Sequence, residues 1–411
     1  MAAQNTVVGI DVGTTKICAL VGELNAEGAM QIIGVGVTQA RGMRKGAVVN
    51  VAEASEAIGA AVEKAERTCG YEIGRAFVSL AGEHISSLNS RGVVAVGRGE
   101  GGITEDDLAR ALDGAQAITL PHNREVLHVI PRGYVIDGQE GIHSPLGMHG
   151  FRLEVETHII TGSTAAVQNL AKCVQSAGVE VDQFVLNPLA AGAAVLTPTE
   201  REMGVVLADL GGGTTDIGIF IEGNIWHTVV LPVGGNHVTN DVAMGLSLPF
   251  ALAEQIKIEH GHARPRTVDA SEYFKVTPFG EGQPQQVSRQ DLARIIEARA
   301  EELFDLILQE IKRSGYDGLL PAGAVLCGGS ALLPGIRELA RERLNMPVRV
   351  ALPEDLSGLV DALQSPAYAT SVGLLRWGFS DAALPRPARD RHSTGEWGAR
   401  LRGWFRTLLP G

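Results

Sequence analysis

Short apolar runs broken by glycine alternate with longer amphipathic stretches along most of the chain. Residues 7–11, 17–22 and 32–37 read as successive strands, the first two joined by a Gly13-Thr14-Thr15 turn. Ala54, Ile58, Ala61, Val62 and Ala65 then fall on one stripe, which predicts a helix over 51–69. Residues 76–80 have the look of a buried strand and 89–98 of another, and a helix over 104–118 opens on Thr104 with Asp107 in a capping pattern. Strands follow over 125–137 and 152–161, and Val167, Leu170, Ala171 and Val174 predict a helix over 164–177.

Beyond that helix the opening pattern returns. Val205–Ile217 repeats the order of Val8–Ile17: an apolar strand, Asp-X-Gly, a Thr-Thr pair, then a second apolar strand. The chain therefore reads as internally duplicated. Helical spacing extends over 240–260 and 288–314, a short strand over 323–327 leads into Gly328-Gly329-Ser330, and periodicity is lost over 384–395, a flexible linker.

Length and composition set the scale. A chain of 411 residues, 45% hydrophobic, has material for about two or three folded domains. Cys18, Cys69, Cys173 and Cys327 are widely spaced, which predicts reduced, mostly buried thiols and fits a cytosolic compartment. The start of the chain carries no export signal, and no window reaches the roughly 18 apolar residues of a spanning helix, so membrane contact is expected to be peripheral. A formal net charge of -12 argues against a nucleic-acid-binding body. The charge is uneven, because Arg386, Arg389, Arg391, Arg400, Arg402 and Arg406 crowd the tail against only Asp390 and Glu396.

A strand that ends in Asp and turns through Gly and Thr aims backbone N–H groups and hydroxyls at an anion. Its carboxylate then lies where a phosphate-bound Mg²⁺ and its waters would sit. Asp11, Gly13, Thr14, Thr15 and Lys16 form one such turn, and Asp209, Gly211, Gly212, Gly213, Thr214 and Thr215 the other. The third element is Val325 to Gly335, a strand ending in Gly328 and Gly329 with Ser330 beyond, where a missing Cβ lets a nucleotide approach the backbone. Glu254 and Lys257, spaced to share a helix face, are placed to reach an adenosine from the side, although such charges are more often simply solvated.

Together these motifs resemble the phosphate and adenosine motifs of the actin, sugar-kinase and heat-shock ATPase superfamily. Within it, His128-Val129-Ile130-Pro131, Asp137 to Ile142 and Pro145 to Glu154 resemble the extra subdomain of the FtsA family of bacterial cell-division proteins. Gly234-Gly235-Asn236-His237 and Asn187-Pro188-Leu189-Ala190 also match that family's patterns, whereas Asn50 stands where the family more often has Asp.

The resemblance implies an α/β, actin-like two-lobed fold of duplicated ribonuclease-H-like domains closing on Mg-ATP. The first lobe is expected from 1–83, 163–203 and 362–381, and the inserted subdomain from 84–162. The second lobe takes 204–245 and 303–361, with a smaller subdomain over 246–302, then a linker over 382–395 and an amphipathic helix over 396–411. In this reading Asp11 and Asp209 organise Mg²⁺, largely through water. Thr14, Thr15, Lys16, Thr214 and Thr215 hold phosphates, with the glycines of both turns and Gly234 and Gly235 in support, while Gly328, Gly329, Ser330, Glu254 and Lys257 frame the adenosine. Hydrolysis is permitted without being required, and slow or regulatory turnover is implied.

The tail has its own chemistry. On a helical projection Trp397, Leu401, Trp404, Phe405, Leu408 and Leu409 occupy one arc of roughly 140°, with Arg400, Arg402 and Arg406 outside it. That pattern suits the headgroup region of an anionic bilayer. The resemblance further implies self-association into filaments, an inserted subdomain that serves self-association or contact with later division proteins, and binding of the tail peptide of FtsZ through the subdomain over 246–302, with Arg294 and Arg299 as candidate contacts for an acidic tail. The septal, cytoplasmic face of the membrane is then the expected location. Two rival readings, a metabolic kinase of the same superfamily and a pilus-assembly relative with a similar core, give no reason for the Arg-rich amphipathic tail.

Overall fold

The computed structural model describes residues 6–25, 27–97, 101–280, 283–361 and 363–382. The duplicated motif becomes a duplicated sheet. In the first lobe the strands run Glu180–Leu186, Arg75–Leu80, Thr6–Val12, Lys16–Leu24, Met30–Gln39 and Ser357–Gly358. In the second the order is Val348–Val350, Ala324–Cys327, Val205–Leu210, Thr215–Ile221 and Asn224–Leu231. Each sheet thus carries an antiparallel three-strand meander whose first strand pairs in parallel with a later one.

Helix Val51–Cys69 covers the first sheet, and the expected 51–69 span is its observed span. Asn50 begins it, its side chain accepting from the backbone N–H of Ala52 and Glu53, so the residue that departs from the family pattern still caps the helix. The inserted subdomain, residues 86–163 with its edges, is a four-stranded antiparallel sheet of Ser86–Ala95, Arg152–Ser163, Arg124–Ile136 and Gln139–Ile142, with helix Glu105–Gln116 laid across it. Gly92 is the close-approach point, since a Cβ there would lie 1.9 Å from the carbonyl oxygen of Ala111 on that helix. Among the described residues, four apolar clusters form the interior: one centred on the first lobe, one in the second, one under the inserted sheet and one in the small subdomain of the second lobe. Helix Arg289–Ser314 joins the last to the second lobe, with Leu292 and Ile296 in one cluster and Leu303, Phe304 and Ile307 in the other.

One expected element is corrected. The helix predicted over 240–260 is two helices, Gly235–Gly245 and Phe250–His260, because Ser247 takes a positive φ of 52° and Pro249 stands at the junction. The linker over 382–395 and the helix over 396–411, with Trp397, Arg400, Leu401, Arg402, Trp404, Phe405, Arg406, Leu408 and Leu409, lie outside the described residues, apart from the final helical residue Ala382. No helix among the described residues is long and apolar enough to cross a membrane.

Candidate functional site

The two Asp-X-Gly turns face each other across a cleft of about 400 Å³ between the lobes. They touch: a Cβ on Gly212 would lie 2.4 Å from Thr15 Cγ2, and one on Gly213 2.6 Å from Thr14 Oγ1. Only glycine lets the second turn approach the threonines of the first this closely.

Beneath the turns, Asp11 and Asp209 are buried at 7% and 8% exposure. Both are held by the start of helix Ala369–Ala382. Ser371 donates to Asp11 at 2.7 Å and Thr370 donates to Asp209 at 2.7 Å, while Ser79 donates to the other oxygen of Asp11 at 3.0 Å. One helix therefore grips the key carboxylate of each lobe. Burial, and then the charge of Asp11, lift the Asp209 carboxyl to about 6, against the hydrogen bond from Thr370.

Sequence register explains a third acid. Asp11 pairs with Cys18 across the first hairpin, and at the equivalent place in the second Asp209 pairs with Asp216. Asp216 is 1% exposed, lines the cleft, and is pushed well above the usual carboxylate range by burial and by Asp209. Lys16 is the adjacent cation; its ammonium donates to the carbonyl of Ala367 and lies 3.5 Å from the ring centre of Tyr368. Burial lowers its pKa.

Three buried carboxylates against one lysine make a donor set of hard oxygens that fits Mg²⁺. Among the described residues, however, no group of three or more His, Cys, Asp or Glu side chains is arranged to hold an ion by itself. Water and phosphate oxygens would have to complete the shell.

The remaining predicted residues divide by placement. Gly13, Thr14, Thr15, Gly211, Gly212, Gly213, Thr214, Gly235, Glu254, Lys257, Gly328, Gly329 and Ser330 all line the cleft. Lys257 is mostly buried, donating to Glu254 at 2.6 Å, Thr239 at 2.9 Å and the carbonyl of Gly235 at 3.2 Å, so this pair is part of the wall and not a solvated helix face. Ser330 donates to the carbonyl of Gly211 at 3.3 Å and ties the third element to the second turn.

Thr215 does not join them: it is fully buried and donates to the carbonyl of Val233 at 2.9 Å. Gly234 lies behind the turn, its Cβ position 2.5 Å from the carbonyl oxygen of Gly211. Gly328 has an internal reason to be glycine, a φ of 85° and a Cβ position 2.3 Å from Asp209 Oδ1, whereas a Cβ on Gly329 would meet nothing within 4 Å.

Away from the cleft, Arg299 makes a two-pronged ion pair with Asp241 at 2.6 and 3.0 Å and also meets Glu302, while exposed Arg294 pairs with Asp291. The reading from sequence missed Asp216, Asn187, Thr370 and Ser371. Asp216 had a signal, its position in a repeated register; the others become site residues only through tertiary packing.

Two lobes of matching strand order around a cleft floored by paired acidic turns define an actin-like protein. Solved structures share this fold: a PilM–PilN type IV pilus biogenesis complex (TM-score 0.66, 15% identity, 91% of this chain and 98% of that one) and MreB5 of Spiroplasma citri bound to ADP (0.55, 14%, 90% and 95%). Residues 206–373 match the family described as cell division protein FtsA, and residues 82–161 the SHS2 domain inserted in FtsA. The cell division protein FtsA of Pseudomonas aeruginosa is 47% identical over 90% of this chain and 89% of its own length; that of Escherichia coli K12 is 38% identical over 98% of both. The chain belongs to the FtsA family of cell-division proteins.

Proposed function

We propose that the protein binds Mg-ATP between its lobes, polymerises at the cytoplasmic face of the membrane at the septum, and tethers the FtsZ ring there by the FtsZ tail peptide. The single observation that carries this reading is the pair of mirrored turns, with Asp11 and Asp209 buried beneath one cleft and held by adjacent residues of one helix. The backbone and hydroxyls of the turns would hold the phosphates, and the two carboxylates would hold the ion's water shell. The bound Mg²⁺ supplies charge neutralisation of the phosphates. Glu254, Lys257, Gly329 and Ser330 close the side on which the nucleoside would lie. Turnover is slow, and the working cycle is nucleotide-dependent closure and assembly. A relative of the same fold was solved as the MamK double helical filament, which supports assembly.

Anchoring falls to the arginine-rich tail. One short amphipathic helix binds weakly, so firm attachment needs the many copies that a filament presents. An acidic peptide docking near Arg299 would have to displace Asp241, which makes Arg294 the more accessible contact. Calorimetry tests the cleft: Mg-ATP binds the wild type, and Asp209→Ala weakens binding about tenfold or more, the loss of one or more charge-assisted contacts. Cosedimentation with anionic vesicles tests the tail. The full chain pellets with vesicles, and a chain ending at Ser380 stays in solution; equal pelleting of both would end the anchoring proposal.

A further inference from the structure

Two strands that meet at the seam between the inserted subdomain and the second lobe each carry one residue too many. In strand Arg124–Ile136 the pairing with Arg152–Ser163 steps from Glu156 opposite Gly133 to Thr157 opposite Pro131, so Arg132 is the extra residue of a β-bulge. In strand Asn224–Leu231 the pairing with Thr215–Ile221 steps from Ile219 opposite His227 to Phe220 opposite Ile225, which leaves Trp226 as the extra residue of a second bulge. A bulge re-aims the side chain it frees from the ladder. Both are aimed at one place: the Arg132 guanidinium lies 4.1 Å from the centre of the Trp226 ring and 5.6 Å from that of Tyr316.

Arg132 is only 8% exposed, and among the described residues its side chain makes no hydrogen bond and no ion pair. A buried arginine is ordinarily paired with an acid. The aromatic faces attract its charge but offer no lone pair to its N–H bonds, which lie in the guanidinium plane. Its Nε–H is shielded from solvent and unpartnered, and so is Nε1–H of Trp226 on the opposite bulge. Both groups donate and neither accepts. Two unspent donors beside an unbalanced positive charge select an acceptor that itself carries negative charge.

We propose that this seam is a binding site for one small oxyanion, a free phosphate or carboxylate, which forks onto the Arg132 guanidinium and accepts from Trp226 Nε1–H. The planar guanidinium presents paired N–H bonds that match two oxygens on one phosphorus or carbon, and the indole adds a donor from the other side of the seam. Size follows from burial: donors this shielded are reached by a single small group and not by a nucleotide or an extended peptide. Neither Arg132 nor Trp226 lines the interlobe cleft, so the site is separate from the one described above. Its occupancy couples two bodies. Arg132 belongs to the inserted subdomain and Trp226 to the second lobe, so a bound oxyanion tightens the seam that Ser87 and Asn224 already cross by hydrogen bonds.

The test uses the full chain at constant ionic strength, with sodium chloride replaced stepwise by sodium phosphate in one arm and by sodium acetate in the other. The probe is the indole N–H resonance of Trp226, one of four tryptophans in the chain, assigned by its disappearance in Trp226→Phe. A saturable downfield shift is expected in at least one arm, and the arm in which it occurs tells phosphate from carboxylate. Arg132→Gln abolishes it. That variant also loses the cation over the ring, so Trp226→Phe supplies a second measurement, keeping a ring face and removing the N–H. In wild type the anion slows hydrogen exchange along Ser86–Ala95, and in Trp226→Phe the midpoint of that protection rises about fivefold, the scale of one hydrogen bond. A resonance that responds to neither anion, a shift that persists in Arg132→Gln, or a protection midpoint unchanged in Trp226→Phe would each overturn the site.

Discussion

At the scale of single residues, buried ionisable groups give the protein an acid-sensitive junction. His158 on the inserted sheet has Nδ1 at 2.7 Å from Asn89 Oδ1 and Nε2 at 3.0 Å from Thr228 Oγ1. Burial pushes its pKa down to about 3, helped by His227, Arg132 and His128, and burial alone pushes His128 to about 4. Both are depressed below the ordinary 6.5, so the stability they contribute is present above pH 6.5 and is lost as pH falls toward 4 and 3. Asp209 acts in the opposite sense: raised from 3.8 to about 6, its stabilising contribution is complete below pH 3.8 and disappears as pH rises through 6. Asp216, raised further by burial, acts with Asp209, so the histidine contribution is isolated by comparing variants. Between pH 6.5 and 4 the melting temperature of a His128→Gln, His158→Gln double variant is expected to lose less, or gain more, than that of wild type. Parallel slopes in scanning calorimetry would refute the assignment.

At the scale of elements, the two glycines after strand Ala324–Cys327 look alike in sequence and differ in physics. Gly328 combines a left-handed φ with a space already filled by the Asp209 carboxylate, and Gly329 faces open space. Gly328→Ala is expected to cost about 3 kcal/mol, from left-handed strain plus overpacking, while Gly329→Ala melts with wild type. Equal melting temperatures for the two variants would contradict this.

The same contrast marks what was legible in the chain. Strand, Asp-X-Gly and Thr-Thr are local signals, so both hairpins, and every predicted residue that lines the cleft apart from Glu254 and Lys257, belong to short motifs that carry their own turn chemistry. Thr215 and Gly234 were misplaced because alternation along a strand and the depth of a turn depend on the neighbouring Val233 and Gly211. Helix Ala369–Ala382 carried no amphipathic signature, since it is covered on several sides. Gly373 admits no Cβ, the position being 1.8 Å from the carbonyl oxygen of Ala190, and Gly378 is crowded by Val7 and Phe77. Asn187 belonged to a quoted family pattern, but its unpaired oxygen appears only once the two lobes are packed.

At the scale of the whole molecule, the lobes are joined by more than the chain crossings. Thr370 and Ser371 hold the aspartates of both lobes from one helix end, so any opening must pivot about that point. The inserted subdomain forms a second brace. It grows out of the first lobe yet leans on strand Asn224–Leu231 of the second: Ser87 donates to the carbonyl of Thr228 at 2.9 Å, Asn224 donates to the carbonyl of Arg132 at 3.4 Å, and the Arg132 guanidinium lies 4.1 Å from the centre of the Trp226 ring. Trp226 packs edge-on against Tyr316, which fixes the face that Arg132 covers. A cation over an aromatic face in a desolvated junction contributes about 1–2 kcal/mol, enough to bias the subdomain's position without locking it. Trp226→Ala should therefore release the inserted sheet from the second lobe. Hydrogen exchange is expected to speed up along Ser86–Ala95 while the strands Thr6–Val12 and Val205–Leu210 keep their protection, and Trp226→Phe should retain most of the brace. If exchange along Ser86–Ala95 is unchanged in the alanine variant, the subdomain is held by the first lobe alone and rotation of the lobes does not load it.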